Sequence, residues 1–148
     1  MMKMTPKTNL MLIALGLLVC LLQATSTDAT TKHGRELLKT FRRIDFDETR
    51  KSIYLLSAKF GVQSQLRDPL MQRVLNYWDD VKLSKTCLDR MVKKVDDVKE
   101  TFYAGFSYAC KDHDQYSVDC LEAAKPSYLT ALVDIRTETE NCLTSNNK

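Results

Sequence analysis

Residues 86–110 read TCLDRMVKKVDDVKETFYAGFSYAC, and this stretch decides the fold. Leu88, Val95, Phe102 and Ala109 recur every seven residues, with Met91, Val98 and Gly105 between them. Side chains spaced alternately three and four residues apart share one side of an α-helix, and three heptads of the pattern form the seam of an antiparallel bundle. Cys87 and Cys110 mark the two ends of this helix. Cys120 and Cys142 bracket a second one, whose core stripe is Tyr128, Leu132 and Ile135.

Four cysteines allow three pairings. A helix from 87 to 110 holds its ends about 34 Å apart, so Cys87 and Cys110 cannot join. The crossed pairing would stretch residues 111–119 along the whole hairpin, close to their limit of roughly 31 Å. The nested pairing, Cys87–Cys142 with Cys110–Cys120, lets the second helix fold back beside the first. The expected core is therefore a C-terminal antiparallel helical hairpin stapled at both ends.

Working outward, residues 1–29 read as a secretory signal peptide. Lys3 and Lys7 precede an apolar run from Leu10 to Leu22, too short to span the bilayer. Cleavage is expected after Ala29, or alternatively near Ser26. Removing Cys20 with the signal leaves the even cysteine count of a disulfide-bonded secreted chain. Residues 30–148 then make a single all-helical domain.

Before the hairpin, Leu37, Leu38, Phe41 and Ile44 give one face of a first helix. Asp45 with Glu48 reads as a capping box, and Ile53, Leu56 and Phe60 as the inward face of a second helix that Gly61 ends. Val62 to Arg67 reads as a polar loop, and Asp68-Pro69 as the start of a third helix. That helix carries Leu70, Val74, Tyr77 and Val81 beside Met71, Leu75 and Trp78, and breaks near Ser84. Lys111 to Tyr116 connects to a short turn capped by Ser117, and Pro126 starts or kinks the last helix. The fold class is all-α: a small disulfide-stapled bundle of four to five helices.

Composition narrows the function. The net charge of +3 across 148 residues is too small for a nucleic-acid footprint. The two histidines, His33 and His113, are far apart and form no metal-binding spacing, and no nucleophile motif or phosphate loop is present. An enzyme, a metal site and a cofactor are not expected. Residues 30–86 carry 12 basic and 7 acidic residues, whereas 87–148 carry 8 and 11. Arg42, Arg43, Arg50 and Lys51 gather around the first inter-helix turn and form the candidate partner-binding patch, since arginine forks suit carboxylates at interfaces. Tyr103 is expected to face outward and extend a binding surface.

Four stretches carry a resemblance: HGRELL at 33–38, SQLRDPLMQRV at 64–74, TCLDRMV at 86–92 and YSVDCLEAA at 116–124. Through them the chain resembles a family of small salivary proteins of anopheline mosquitoes that includes albicin, an inhibitor of the alternative complement pathway, and anophensin, an inhibitor of contact activation. The resemblance implies a secreted helical inhibitor that binds the host alternative-pathway convertase and holds it unproductive. Two other readings remain: inhibition of the contact system, and carriage of a small apolar ligand in a cavity lined by Met71, Trp78, Met91 and Phe102.

Overall fold

A computed structural model describes residues 32–48, 53–77, 82–105, 110 and 114–146. Every regular element among them is helical. The helices are α1 (Lys32–Phe41), α2 (Ile53–Val62), α3 (Asp68–Tyr77), α4 (Lys85–Ala104) and α5 (Asp114–Ser145). Residues 32–148 belong to one compact unit.

The hairpin forms as its pattern requires. Ser84 caps α4, its hydroxyl accepting the Cys87 N–H at 3.5 Å. Leu88, Met91, Val95 and Phe102 are buried along the heptad face and meet Tyr128, Leu132 and Ile135 of α5 in one core. Cys87 pairs with Cys142 and Cys110 with Cys120, at Cα separations of 5.8 and 6.4 Å. The first bridge joins the start of α4 to the end of α5; Cys110 lies six residues beyond Ala104, so the helix expected to reach it ends earlier than the sequence suggested. The last helix is longer than the sequence suggested: α5 continues through Pro126, with no separate turn before it.

The largest departure lies in residues 53–77. Gly61 does not end a helix, and Val62 to Arg67 is not a loop. Residues Gln63–Arg67 form a π-helical turn that joins α2 to α3 without a break. In it the Asp68 N–H donates to the Gln63 carbonyl five residues back. Pro69 has no N–H for the Gln65 carbonyl. Arg136 of α5 supplies the donor instead, its Nη1 lying 3.2 Å from that oxygen. The Arg136 contact ties this helical turn to α5, and Leu66 is fully buried on its inner side.

Gly61 is present for closeness, not for a turn. A Cβ there would lie 2.8 Å from Tyr128 Cε1 and 3.2 Å from the side chains of Leu129 and Leu132. Its absence lets α2 sit directly on α5, where the Tyr128 hydroxyl donates to the Ala58 carbonyl at 2.9 Å. The Tyr128 ring stacks on Phe102 at 4.3 Å, and Phe102 also meets Tyr54 at 5.0 Å. Burial pushes the Tyr128 hydroxyl well above the usual phenol range, with Tyr103 adding to the effect.

This contact also reverses the expected face of α2. Tyr54, Leu55, Ala58 and Val62 point into the core. Ile53, Leu56 and Phe60, read from sequence as the buried stripe, are exposed. In α3, Leu70 and Val74 are buried as expected, but Leu75 is exposed. Trp78, Val81 and His113 lie outside the described residues.

Candidate partner-binding surface

The basic turn begins where α1 stops. Ile44 tucks into the core, and Asp45 Oδ1 accepts the Asp47 N–H at 2.9 Å. Asp45 is thereby used within the turn, so the capping box expected at this point does not form. Asp47 takes a positive φ of 48°, a conformation that Asp tolerates better than most residues.

Two side chains of α4 hold the turn from below. Lys99 is only 4% exposed; its ammonium donates to the Asp45 carbonyl and to Asp96 Oδ1 and lies 5.6 Å from the centre of the Phe46 ring. The Tyr103 hydroxyl donates to the Phe46 carbonyl at 3.3 Å. Tyr103 is 5% exposed, which corrects the expectation that it faces outward. Residue 103 lies next to Phe102 on the helix, and the turn itself covers it. Its contribution is to position the basic turn, not to meet a partner.

Of the four predicted cations, Arg42 and Arg43 fall within the described residues. Arg43 Nη1 donates to Asp89 Oδ1 of α4 at 2.6 Å. Asp89 also accepts from Lys85 at 2.6 Å, and these two bonds, the Lys85 one first, hold its carboxyl below the usual carboxylate range. Arg43 is therefore paired, although its side chain stays half exposed. Arg42 is exposed. Arg50 and Lys51 lie outside the described residues.

Sequence reasoning missed a different row. Lys32, Arg35 and Lys39 of α1 and Arg42 just past its end are all exposed and follow one another at a spacing of three or four residues. None makes an ion pair among the described residues. The signal was available, because the same periodicity that locates Leu37 and Phe41 inward puts these cations outward.

Met91 and Phe102, named above as lining for a ligand cavity, are packed core residues. Among the described residues no group of three His, Cys, Asp or Glu side chains could hold a metal ion, and no helix is long and apolar enough to cross a membrane. The described residues form a disulfide-stapled helical scaffold that presents both charged and apolar surface.

Comparison with known proteins gives the family. The profile described as Aegyptin, C-terminal domain, matches residues 27–143. A gSG7 salivary protein of Anopheles freeborni is 84% identical over 114 residues, covering 77% of this chain and 96% of the relative. A gSG7 salivary protein of Anopheles stephensi is 54% identical over 140 residues, covering 95% and 98%. A solved structure, described as a mosquito complement inhibitor from Anopheles freeborni, is similar at 85% identity with a TM-score of 0.67, covering 75% of this chain and 93% of that one. An anophensin from Anopheles stephensi is similar at 53% identity with a TM-score of 0.54, covering 76% and 98%. The chain belongs to the family of gSG7 salivary proteins of Anopheles, which shares the Aegyptin C-terminal domain.

Proposed function

We propose that this protein is a secreted salivary inhibitor of host complement, acting on the alternative pathway by binding its convertase and holding it unproductive. The observation that carries the reading is the 85% identity to the complement inhibitor of Anopheles freeborni over nearly the whole of that chain. With 85% of the aligned residues shared, a surface used by that inhibitor is expected to be largely retained here. Residues 1–29 act as the signal peptide and are removed on secretion, leaving the four paired cysteines in an oxidising compartment. Inhibition is stoichiometric, without turnover of the target.

The test is to add the purified mature protein to serum and follow the alternative, classical and contact pathways in parallel. Selective loss of alternative-pathway activation, complete near equimolar inhibitor, is the expected result. Loss confined to contact activation would replace this reading by one that follows the anophensin likeness, which stands at the lower identity of 53%. Progressive consumption or cleavage of convertase components by sub-stoichiometric protein would exclude inhibition by binding.

A further inference from the structure

The outer face of α2 carries a ridge of large apolar side chains. Ile53, Leu56 and Phe60 follow one another at three and four residues and are 37, 68 and 65% exposed. The opposite face of the same helix is core. A helix that is apolar on all sides is ordinarily buried on all sides, and this one is not. Single exposed apolar residues need no explanation, but a contiguous patch on a soluble domain marks a place where something docks.

Beside the ridge a groove of about 240 Å³ runs between the α2–π-turn segment and α5. Leu56, Phe60 and Leu129 form its apolar part, and Ser64, Gln65 and Lys125 its polar edge. This volume is below the roughly 300–1,000 Å³ of sites built for free small molecules, and it suits one side chain of a larger molecule. Lys125 sits at the rim, and its contact to Glu122 on the same helix is 3.7 Å long between half-exposed groups. Such a pair contributes little and leaves the ammonium available to a carboxylate from outside. The base of the site is fixed by the Tyr128–Ala58 hydrogen bond and by the close approach at Gly61, so little ordering is needed on binding.

We infer that this ridge and groove dock the host complement protein, taking an apolar side chain of that protein carried next to a carboxylate that meets Lys125. The inference rests on the function proposed above and locates its contact surface. Apolar anchors ringed by polar groups are the usual form of a binding hot spot.

The experiment compares the wild-type protein with Leu56→Ser/Phe60→Ser and with Lys125→Glu, using immobilised alternative-pathway convertase as the probe. All three side chains lie at the surface, and circular dichroism with thermal melting should show the variants folded as wild type. The double variant is expected to bind at least about tenfold more weakly. Lys125→Glu is expected to weaken binding as well, chiefly through slower association. If the wild type binds and the double variant binds equally well, the ridge is not the docking surface although the complement reading stands. If sedimentation shows a wild-type dimer that the double variant dissolves, with convertase binding unchanged, the ridge belongs to a second copy of the chain and the inference is overturned. Failure of the wild type to bind convertase or inhibit its pathway would overturn the functional reading and this partner with it.

Discussion

Gly61 lies within a helix, where alanine would ordinarily be favoured by about 1 kcal/mol. Here the added methyl would meet a ring that cannot retreat, because Tyr128 is stacked on Phe102 and hydrogen-bonded to Ala58. Overpacking of a filled core costs about 1–3 kcal/mol, which outweighs the propensity gain. Gly61→Ala should therefore destabilise by up to about 2 kcal/mol net, read as a lower denaturant midpoint, and an unchanged or raised midpoint would show that the contact can relax. At Asp89 the decisive quantity is charge. Lys85 and Arg43 depress its folded-state pKa, so it binds protons less readily when folded than when unfolded. Its stabilising contribution is present above the unfolded value of about 3.9 and is lost as pH falls through the depressed folded value. The stability difference between wild type and Asp89→Asn should be constant near neutral pH and shrink only in acid, as measured by denaturation across a pH series. The Asp89 side chain is one-third exposed and its partners lie at the surface, so the effect is small, and a difference that grew on acidification would contradict the assigned cause.

The elements differ in how far their sequences specify them. In α4, heptad spacing and the cysteine positions agree with one another, and the helix and both disulfides were legible in advance; Ser84 was read only as a break, not as the cap it forms, and the helix ends at Ala104, short of Cys110. In the segment 53–77 local signals conflicted with packing. Gly61 and Asp68-Pro69 are ordinary stop and start signals, but Arg136, 71 residues from Gln65, replaces the missing donor and the helix continues. No local pattern reports a donor that distant. The α2 face was misread for a related reason: Ile53, Leu56 and Phe60, three and four residues apart, and Tyr54, Ala58 and Val62, four and four apart, are both helical stripes, and the close approach at Gly61 favours the second. The disulfides show element-level energetics most directly. Cys87–Cys142 closes a separation of 55 residues and Cys110–Cys120 one of 10. In the chain-entropy account their removal costs about 4 and about 3 kcal/mol. Paired Cys→Ser variants should keep that order in denaturant midpoints. A larger loss from the Cys110–Cys120 pair would mean that the shorter bridge holds native packing beyond its effect on the unfolded chain.

Over the whole molecule, charge is divided along the sequence and partly recombined in space. The basic first half meets the acidic hairpin through Arg43–Asp89 and Arg73–Glu140, at 2.6 and 3.4 Å. These pairs partly neutralise two cations, although both arginine side chains remain about half exposed. Arg43 was legible as part of a basic turn, but its partner on α4 was not, because the two lie 46 residues apart. The α1 row of Lys32, Arg35, Lys39 and Arg42 has no such partner among the described residues and keeps its field in solvent. A row of exposed cations steers encounter with an acidic protein more than it holds the finished complex, and the steering weakens as salt screens it over about 10 Å at 0.1 M. We therefore expect the triple reversal Arg35→Glu, Lys39→Glu and Arg42→Glu to slow association with immobilised convertase and to flatten its salt dependence, while dissociation changes little. Surface substitutions of this kind move stability by less than about 0.5 kcal/mol each, so the melting temperature should stay near wild type. An unchanged association rate at low salt would assign encounter to another surface and leave the α1 row as solvated charge. A faster dissociation would instead place it inside the bound interface, beside the apolar ridge.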